Sequence, residues 1–259
     1  MGLGVILYPT VSDYLNDKNQ SKAIVNYEAV LSGLSEEDSS ELFAAAEVYN
    51  EALREVPFPF MNYEQVEGYD ALLNVGDLGI VGYVTINKIN VKLPIYHGTS
   101  PAVLNVAVGH LQGSSLPTGG KNTHCVLSAH RGLPSAELFS NLDDMAIGDR
   151  FTLTVLDRVL IYEVDQIRIV EPEEVEELYI KEGEDYCTLF TCTPYGINTH
   201  RLLVRGTRVL DVNGEPQTPA PQVITEAKKI DPMTFAPVIA AVLLLALLVV
   251  LLVKYRKKK

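Results

Sequence analysis

Between residues 79 and 210 the chain breaks into short β-branched and aromatic runs, at 81–86, 124–128, 150–156, 160–170, 186–192 and 201–209, with Gly, Pro, Asn or Asp at the breaks. Many short strands with such breaks predict a closed β-barrel or a sandwich and a mainly β fold class. Ahead of this region, residues 10–55 predict two helices separated at Gly33. Ser35 followed by Asp38 reads as a capping box, and Leu42, Ala45, Ala46, Tyr49 and Leu53 recur at helical spacing to give one apolar face. Such a stripe is read as packing against the barrel and not as a binding face. A chain of 259 residues, 47% apolar, holds one good-sized domain with appendages. No internal repeat is present.

Charge separates the two ends. The chain has 33 acidic and 21 basic residues, a net charge of −12, which argues against a general nucleic-acid binder because phosphate contacts need a basic patch. Five of the basic residues, Lys254, Arg256, Lys257, Lys258 and Lys259, close the sequence, leaving 16 basic against 33 acidic residues elsewhere. Residues 235–253 run for 19 positions without a charge, long enough for a transmembrane helix. A span followed by a basic tail at 254–259 predicts a membrane protein with that tail cytoplasmic and the preceding domain outside the cell. Residues 212–234, rich in Pro, Gly, Gln and Thr, read as a polar linker. At the other end, residues 1–9 form an apolar segment too short to span and lacking the basic start of a secretory signal.

The chemistry concentrates around one cysteine. Thr188, Leu189 and Phe190 suit a buried strand, while residues 193–198 carry Pro, Gly and Asn turn chemistry, so Cys192 falls at a strand end. Residues 200–206 resume an apolar run, and a strand, loop, strand reading brings Arg201 back beside Cys192. A thiol acts as a nucleophile only as thiolate and needs a base or cation nearby; a developing oxyanion needs a fixed donor. His130 follows a strand and opens an Arg-Gly-Leu-Pro turn that can present it at a barrel rim. Cys192, His130 and Arg201 are therefore the candidate catalytic set. His97, His110, His124 and His200 sit in strand or turn contexts where hydrogen bonding to neighbours is the default reading.

The order His, Cys, Arg and the run Thr188-Leu189-Phe190-Thr191-Cys192 resemble the sortase family. The stretches Leu93-Pro94-Ile95-Tyr96-His97-Gly98-Thr99-Ser100, Gly109-His110-Leu111, Ser128-Ala129-His130-Arg131-Gly132-Leu133-Pro134 and the continuation from Cys192 to Arg201 are similar to class C, pilin-polymerising sortases, with the likeness covering roughly residues 10 to 253. The resemblance implies a sortase-type β-barrel at 79–211 that cleaves a C-terminal Leu-Pro-x-Thr-Gly-type sorting signal between Thr and Gly. A thioester to Cys192 would follow, then transfer to a lysine of a pilin subunit. It implies no cofactor. It also implies a longer hydrophobic segment before a Tyr-Pro such as Tyr8-Pro9, so 1–9 reads either as the end of a membrane anchor or as a short apolar tip.

Residues 56–78 would then carry a lid. Members of the class place an Asp-Pro-aromatic motif over the active site, the Asp facing the catalytic arginine and the ring covering the thiol. Here the stretch is Val56-Pro57-Phe58-Pro59-Phe60, so Phe58 stands where the Asp is expected while Phe60 keeps the aromatic. An Asp-to-arginine latch is thereby put in doubt, and the bland alternative is a connector whose aromatics fill surface grooves.

The other candidates take ordinary readings. Three cysteines leave at least one unpaired, and strand alternation points Cys125 and Cys187 away from the face of His130 and Cys192, as buried thiols rather than a disulfide. No His, Cys and carboxylate cluster has zinc spacing, and neither a phosphate loop nor an EF-hand loop is present. The acidic run Glu171, Glu173, Glu174, Glu176, Glu177, Glu182, Glu184 and Asp185 reads as a solvated face that would also attract a lysine-bearing substrate. Two other functions stay in view: a sortase that anchors proteins to peptidoglycan, and a catalytically silent, membrane-tethered assembly or adhesion module. A hydrolytic cysteine protease fits less well, since Arg201 stands where a Cys, His, Asn arrangement would need an amide.

Overall fold

Closure of the sheet removes every edge. The computed structural model describes residues 2–210 and Lys254. In it β1 (Ile80–Ile86), β2 (Val91–His97), β3 (Val108–His110), β4 (Thr123–Ser128), β5 (Arg150–Val155), β6 (Arg158–Val170), β7 (Asp185–Thr193) and β8 (His200–Arg208) form a closed barrel in the order β1-β2-β3-β4-β7-β8-β6-β5. Two of the pairings, β2 with β3 and β4 with β7, are parallel. All six residues of β4 are buried, as expected of a strand covered on both faces.

Six of the eight strands are legible as β-rich runs in the sequence; β2 and β3 are not. β3 is only three residues long, and β2 contains Pro94. That proline pairs with Tyr83 of β1 but precedes Ile95, where pairing with β3 begins, so β2 has a strand neighbour on one side only at this point. Proline is tolerated in a strand under that condition.

Side chains sort by alternation. Cys125, Leu127, Phe151, Leu153, Tyr162, Cys187, Leu189, Leu202 and Val204 turn into the main core, while Val126, Leu203 and Phe190 belong to a second, outer cluster. Each large apolar side chain so buried contributes about 1.5–3 kcal/mol.

Two helices lean on the barrel, α1 (Gly2–Leu31) and α2 (Glu36–Arg54). The boundary expected after residue 9 is corrected: α1 runs unbroken through Pro9. One proline costs a helix a hydrogen bond and some crowding, and no glycine or turn pair accompanies it here to end the helix. Ser35 caps α2 with the expected box, its side chain accepting from Asp38 N while Asp38 accepts from Ser35 N. The buried face of α2 is turned slightly from the expected one. Ala45 is exposed, whereas Phe43 and Asn50 join Ala46, Tyr49 and Leu53. Asn50 is polar but fully used, accepting from Leu116 N at 2.8 Å and donating to Leu116 O and Thr118 Oγ1. Tyr27 of α1 plays a similar part, donating to Val81 O at 3.1 Å and accepting from Leu156 N at 2.9 Å, and burial pushes its hydroxyl up to about 12.

Among the described residues no helix is long and apolar enough to cross a membrane. The expected linker at 212–234 and span at 235–253 lie outside those residues, as does the basic tail apart from Lys254.

His124 locks β4 to its surroundings in a protonation-dependent way. Its Nδ1 donates to Tyr179 O at 3.1 Å and its Nε2 lies 2.7 Å from Thr188 Oγ1, in a site closed to water where the charged ring is disfavoured. Burial accordingly lowers its pKa from 6.5 to about 4. Between those two values the unfolded chain binds a proton that the folded chain does not, so stability falls as pH falls through 6.5 and the loss is complete below 4. The loss should be about 3 kcal/mol. Urea unfolding at pH 7 and pH 4 should show it in the parent and a clearly smaller fall in His124→Asn.

Candidate active site

The ladders bring the three predicted residues to one end of the barrel. β4 and β7 run parallel in register from Thr123 with Asp185 to Ser128 with Phe190, and Ala129 N continues the ladder by donating to Phe190 O at 3.3 Å. Two further steps along the same register put His130 level with Cys192. On the other side, β7 and β8 are antiparallel and Cys192 is the direct partner of Arg201. His130 lies 62 residues before Cys192 and Arg201 nine after it, and the two ladders bring the three positions to one end of the barrel.

Their environments differ. Cys192 is partly exposed, while Cys125 and Cys187 are buried. Those two face each other across the β4–β7 ladder as free thiols, and burial pushes the Cys187 thiol well above its ordinary value. Neither is open to a substrate arriving from water. Burial also lowers the pKa of His130, so near neutral pH its ring is an unprotonated base able to accept a proton from a thiol. Arg201 donates through Nη1 to Asn198 O at 3.2 Å and His200 O at 3.1 Å. No carboxylate lies within ion-pair distance of it among the described residues, consistent with Phe58 standing where a latch aspartate was expected. Of the remaining histidines, His97 bonds Leu72 O, His110 bonds Tyr69 Oη and Ser115 O, and His200 lies 3.2 Å from Glu171; the ordinary reading suits all of them.

The two lid candidates separate. Phe58 adopts a left-handed conformation, φ 52°, and is 67% exposed. Phe60, in the short helix α3 (Pro59–Asn62), packs against the outer cluster of Val126, Leu178 and Leu203 with Leu111, Val170 and Phe190 at its margin, and tilts onto Tyr179 at 5.5 Å between ring centres. Phe190 lies two residues before Cys192, on the same face of β7. Phe60 therefore rests on the outer cluster to which Phe190 belongs, while Phe58 is left largely exposed. Gly113 makes this approach feasible: with φ +87°, any Cβ there would lie 2.6 Å from Pro59 O and 2.7 Å from Phe60 Cα. A cavity of about 500 Å³ opens beside the segment, lined by Arg54, Phe58, Phe60, Gly113, Tyr179 and Glu182 among others.

The acidic run is solvated in large part, with one correction. Asp185 is largely buried, accepting from Gly120 N at 2.7 Å and Tyr162 Oη at 3.0 Å, and burial raises its pKa. It anchors the start of β7 instead of facing solvent. Among the described residues no group of His, Cys, Asp and Glu side chains is arranged to hold a metal ion. Sequence reasoning passed over Arg131, Tyr179 and Gly113, all of which contact the segments around the site; only the position of Arg131 directly after His130 offered a signal.

A thiol at the end of a barrel strand, paired across one ladder with an arginine and level with an imidazole across the other, defines a cysteine acyltransferase site on a closed mixed barrel. The sortase domain matches residues 84–209, and the chain belongs to the sortase family, whose members are cysteine transpeptidases. It is similar to the crystal structure of sortase C1 from Streptococcus agalactiae, at 46% identity and a TM-score of 0.69 over 73% of this chain and 99% of that one. Sortase C of Streptococcus pneumoniae, whose structure bears on pilin substrate specificity, matches at 46% identity and a TM-score of 0.67 over 73% of this chain and 97% of that one. Among curated relatives, sortase D of Bacillus subtilis (strain 168) is 30% identical over 131 residues, which cover 49% of this chain and 63% of that protein. Sortase A of Streptococcus agalactiae serotype III (strain NEM316) is 31% identical over 120 residues, 45% of this chain and 48% of that protein. The matches thus span about half to two thirds of the curated relatives they meet.

If Phe60 screens the approach to Cys192, Phe60→Ala should be alkylated at Cys192 several-fold faster than the parent, and Phe58→Ala within about twofold of it. Equal iodoacetamide labelling rates in all three proteins, read by mass spectrometry, would reduce residues 56–60 to a connector.

Proposed function

We propose that this chain is a membrane-anchored pilin sortase that cleaves a Leu-Pro-x-Thr-Gly-type signal between Thr and Gly and transfers the acyl group to a pilin lysine. The observation carrying the reading is the register that sets Cys192 opposite Arg201 and level with His130. Similarity to sortase C structures along almost their whole length supports the pilin class.

In this reading the neutral His130 takes the proton of the Cys192 thiol. The thiolate attacks the Thr carbonyl carbon, and Arg201 donates to the oxyanion that forms. Collapse breaks the Thr–Gly C–N bond, the imidazolium returns its proton to the departing amine, and a thioester remains on Cys192. A lysine amine then attacks the thioester, His130 removes its extra proton, and the thiolate leaves. Acidic residues at 171–184 favour an amine-bearing acceptor near the site. The apolar segment at 235–253 and the basic tail support anchoring with the catalytic domain outside the cell.

Cys192→Ala should form no thioester and no polymer. His130→Ala and Arg201→Ala should each lose at least about 10²-fold in turnover, whereas Cys125→Ala should retain chemistry. Incubation with a pilin carrying both the sorting signal and an acceptor lysine, followed by mass spectrometry of the crosslink, tests the acceptor. Transfer to a cell-wall peptide in place of the pilin lysine would point to peptidoglycan anchoring, and no acyl adduct on Cys192 would point to a silent module. Deleting residues 235–259 should yield a soluble, folded protein that still cleaves peptide but polymerises poorly in cells, because tethering supplies effective concentration.

A further inference from the structure

Each chain neighbour of His130 is bonded to one chain neighbour of Cys192. On one side Thr191 Oγ1 donates to Ala129 O at 2.7 Å. On the other, Arg131 Nη1 donates to Thr193 Oγ1 at 3.3 Å. The arginine does more than make this single contact. Its side chain is only 9% exposed; Nε donates to Ser140 O at 3.1 Å and Nη2 pairs with Asp143. Its guanidinium carbon lies 5.8 Å from the centre of the Tyr195 ring, which also packs on Gly132, where a Cβ would meet that ring at 3.1 Å. One planar group thus gathers the loop after β4 and the strand end after β7.

We propose that Arg131 is a positioning residue for the transfer reaction, holding His130 at a fixed separation from Cys192 by tying the β4 loop to Thr193. The proposal rests on the assignment of Cys192 and His130 given above. Its physical basis is the geometry of the donors. β4 ends at Ser128, so the register that places His130 has already left the ladder when it reaches the imidazole. A side chain on a loop drifts unless something beyond the ladder fixes it, and displacements near 1 Å cost on the order of 10²-fold in rate. Arginine presents several donors in a rigid fork, so it can bind Ser140 O, Asp143 and Thr193 Oγ1 at once; lysine, a flexible point charge, cannot reproduce that set. A desolvated guanidinium is a costly way merely to close a loop.

A purely structural role for Arg131 predicts a loss of stability with activity following it, so the test separates the two. Thr193→Val is nearly isosteric and removes only the hydroxyl that receives Nη1, leaving the Ser140 and Asp143 contacts in place. With the full chain and a soluble Leu-Pro-x-Thr-Gly peptide, Thr193→Val should lower kcat about tenfold with KM and Tm nearly unchanged, and Thr193→Ser should restore it. Arg131→Met should lose about 10- to 100-fold in kcat, Arg131→Lys should not rescue it, and the Arg131→Met, Thr193→Val double variant should be no slower than Arg131→Met alone. The pH profile of Cys192 alkylation in Arg131→Met should move toward that of His130→Ala. Values of kcat within twofold of the parent in both single variants, or fully additive losses in the double variant, would overturn the tether provided Cys192→Ala is inactive. Turnover by Cys192→Ala would instead remove the assignment on which the tether rests, and the tether with it.

Discussion

The parallel pairing of β4 with β7 is the contact on which the rest depends. It runs for six register pairs, from Thr123 with Asp185 to Ser128 with Phe190, and it joins stretches that the sequence keeps some sixty residues apart. Antiparallel neighbours can be joined by a tight turn, but parallel ones need a long crossover. Here that crossover contains β5 and β6, which return to pair with β1 and β8 and so close the barrel. The same ladder buries Cys125 and Cys187 inside and puts Val126 and Phe190 outside. A slip of one residue would exchange those two sets, turning Cys192 onto the core face and bringing a threonine, Thr191 or Thr193, to the site.

Around this pairing the polar contacts are placed where strands stop. Asp185 secures the beginning of β7 through Gly120 and Tyr162, and His124 secures the flank through Thr188 and Tyr179. Thr191 and Arg131 secure the far end, beyond the last ladder bond. Tyr179 links two of these regions. Its carbonyl accepts from His124 Nδ1, and its ring packs on Phe60, so the segment at 59–62 rests on a loop tied to a buried imidazole.

Much of this was legible in residue order. The β-rich runs gave most of the barrel, the Thr-Leu-x-Thr-Cys run placed Cys192 toward a strand end, and the turn from Thr193 to Asn198 implied that Arg201 returns beside it. What escaped notice shares one physical character. β2 holds a proline that only a one-sided pairing permits, β3 is too short to show a period, and Asn50 looks exposed by type although two backbone groups and a hydroxyl satisfy it. Arg131 belongs with these. Its partners lie 9, 12 and 62 residues away, and only the last bond shows what the residue spans. Local pattern reveals what a segment prefers, whereas these residues are defined by what the fold brings to them.

The separation of 62 residues between Ala129 and Thr191 carries a consequence for the chain's history. Helices and hairpins form from local contacts, but a parallel pair across so long a loop must await global collapse, since the entropy of closing the loop is repaid only when many contacts form together. A nascent or partly folded molecule thus possesses Cys192 without the β4 neighbours that the register sets beside it. On the proposed mechanism, reactivity toward acyl donors is a property of the completed barrel, and the assembly of the fold doubles as a safeguard against premature chemistry.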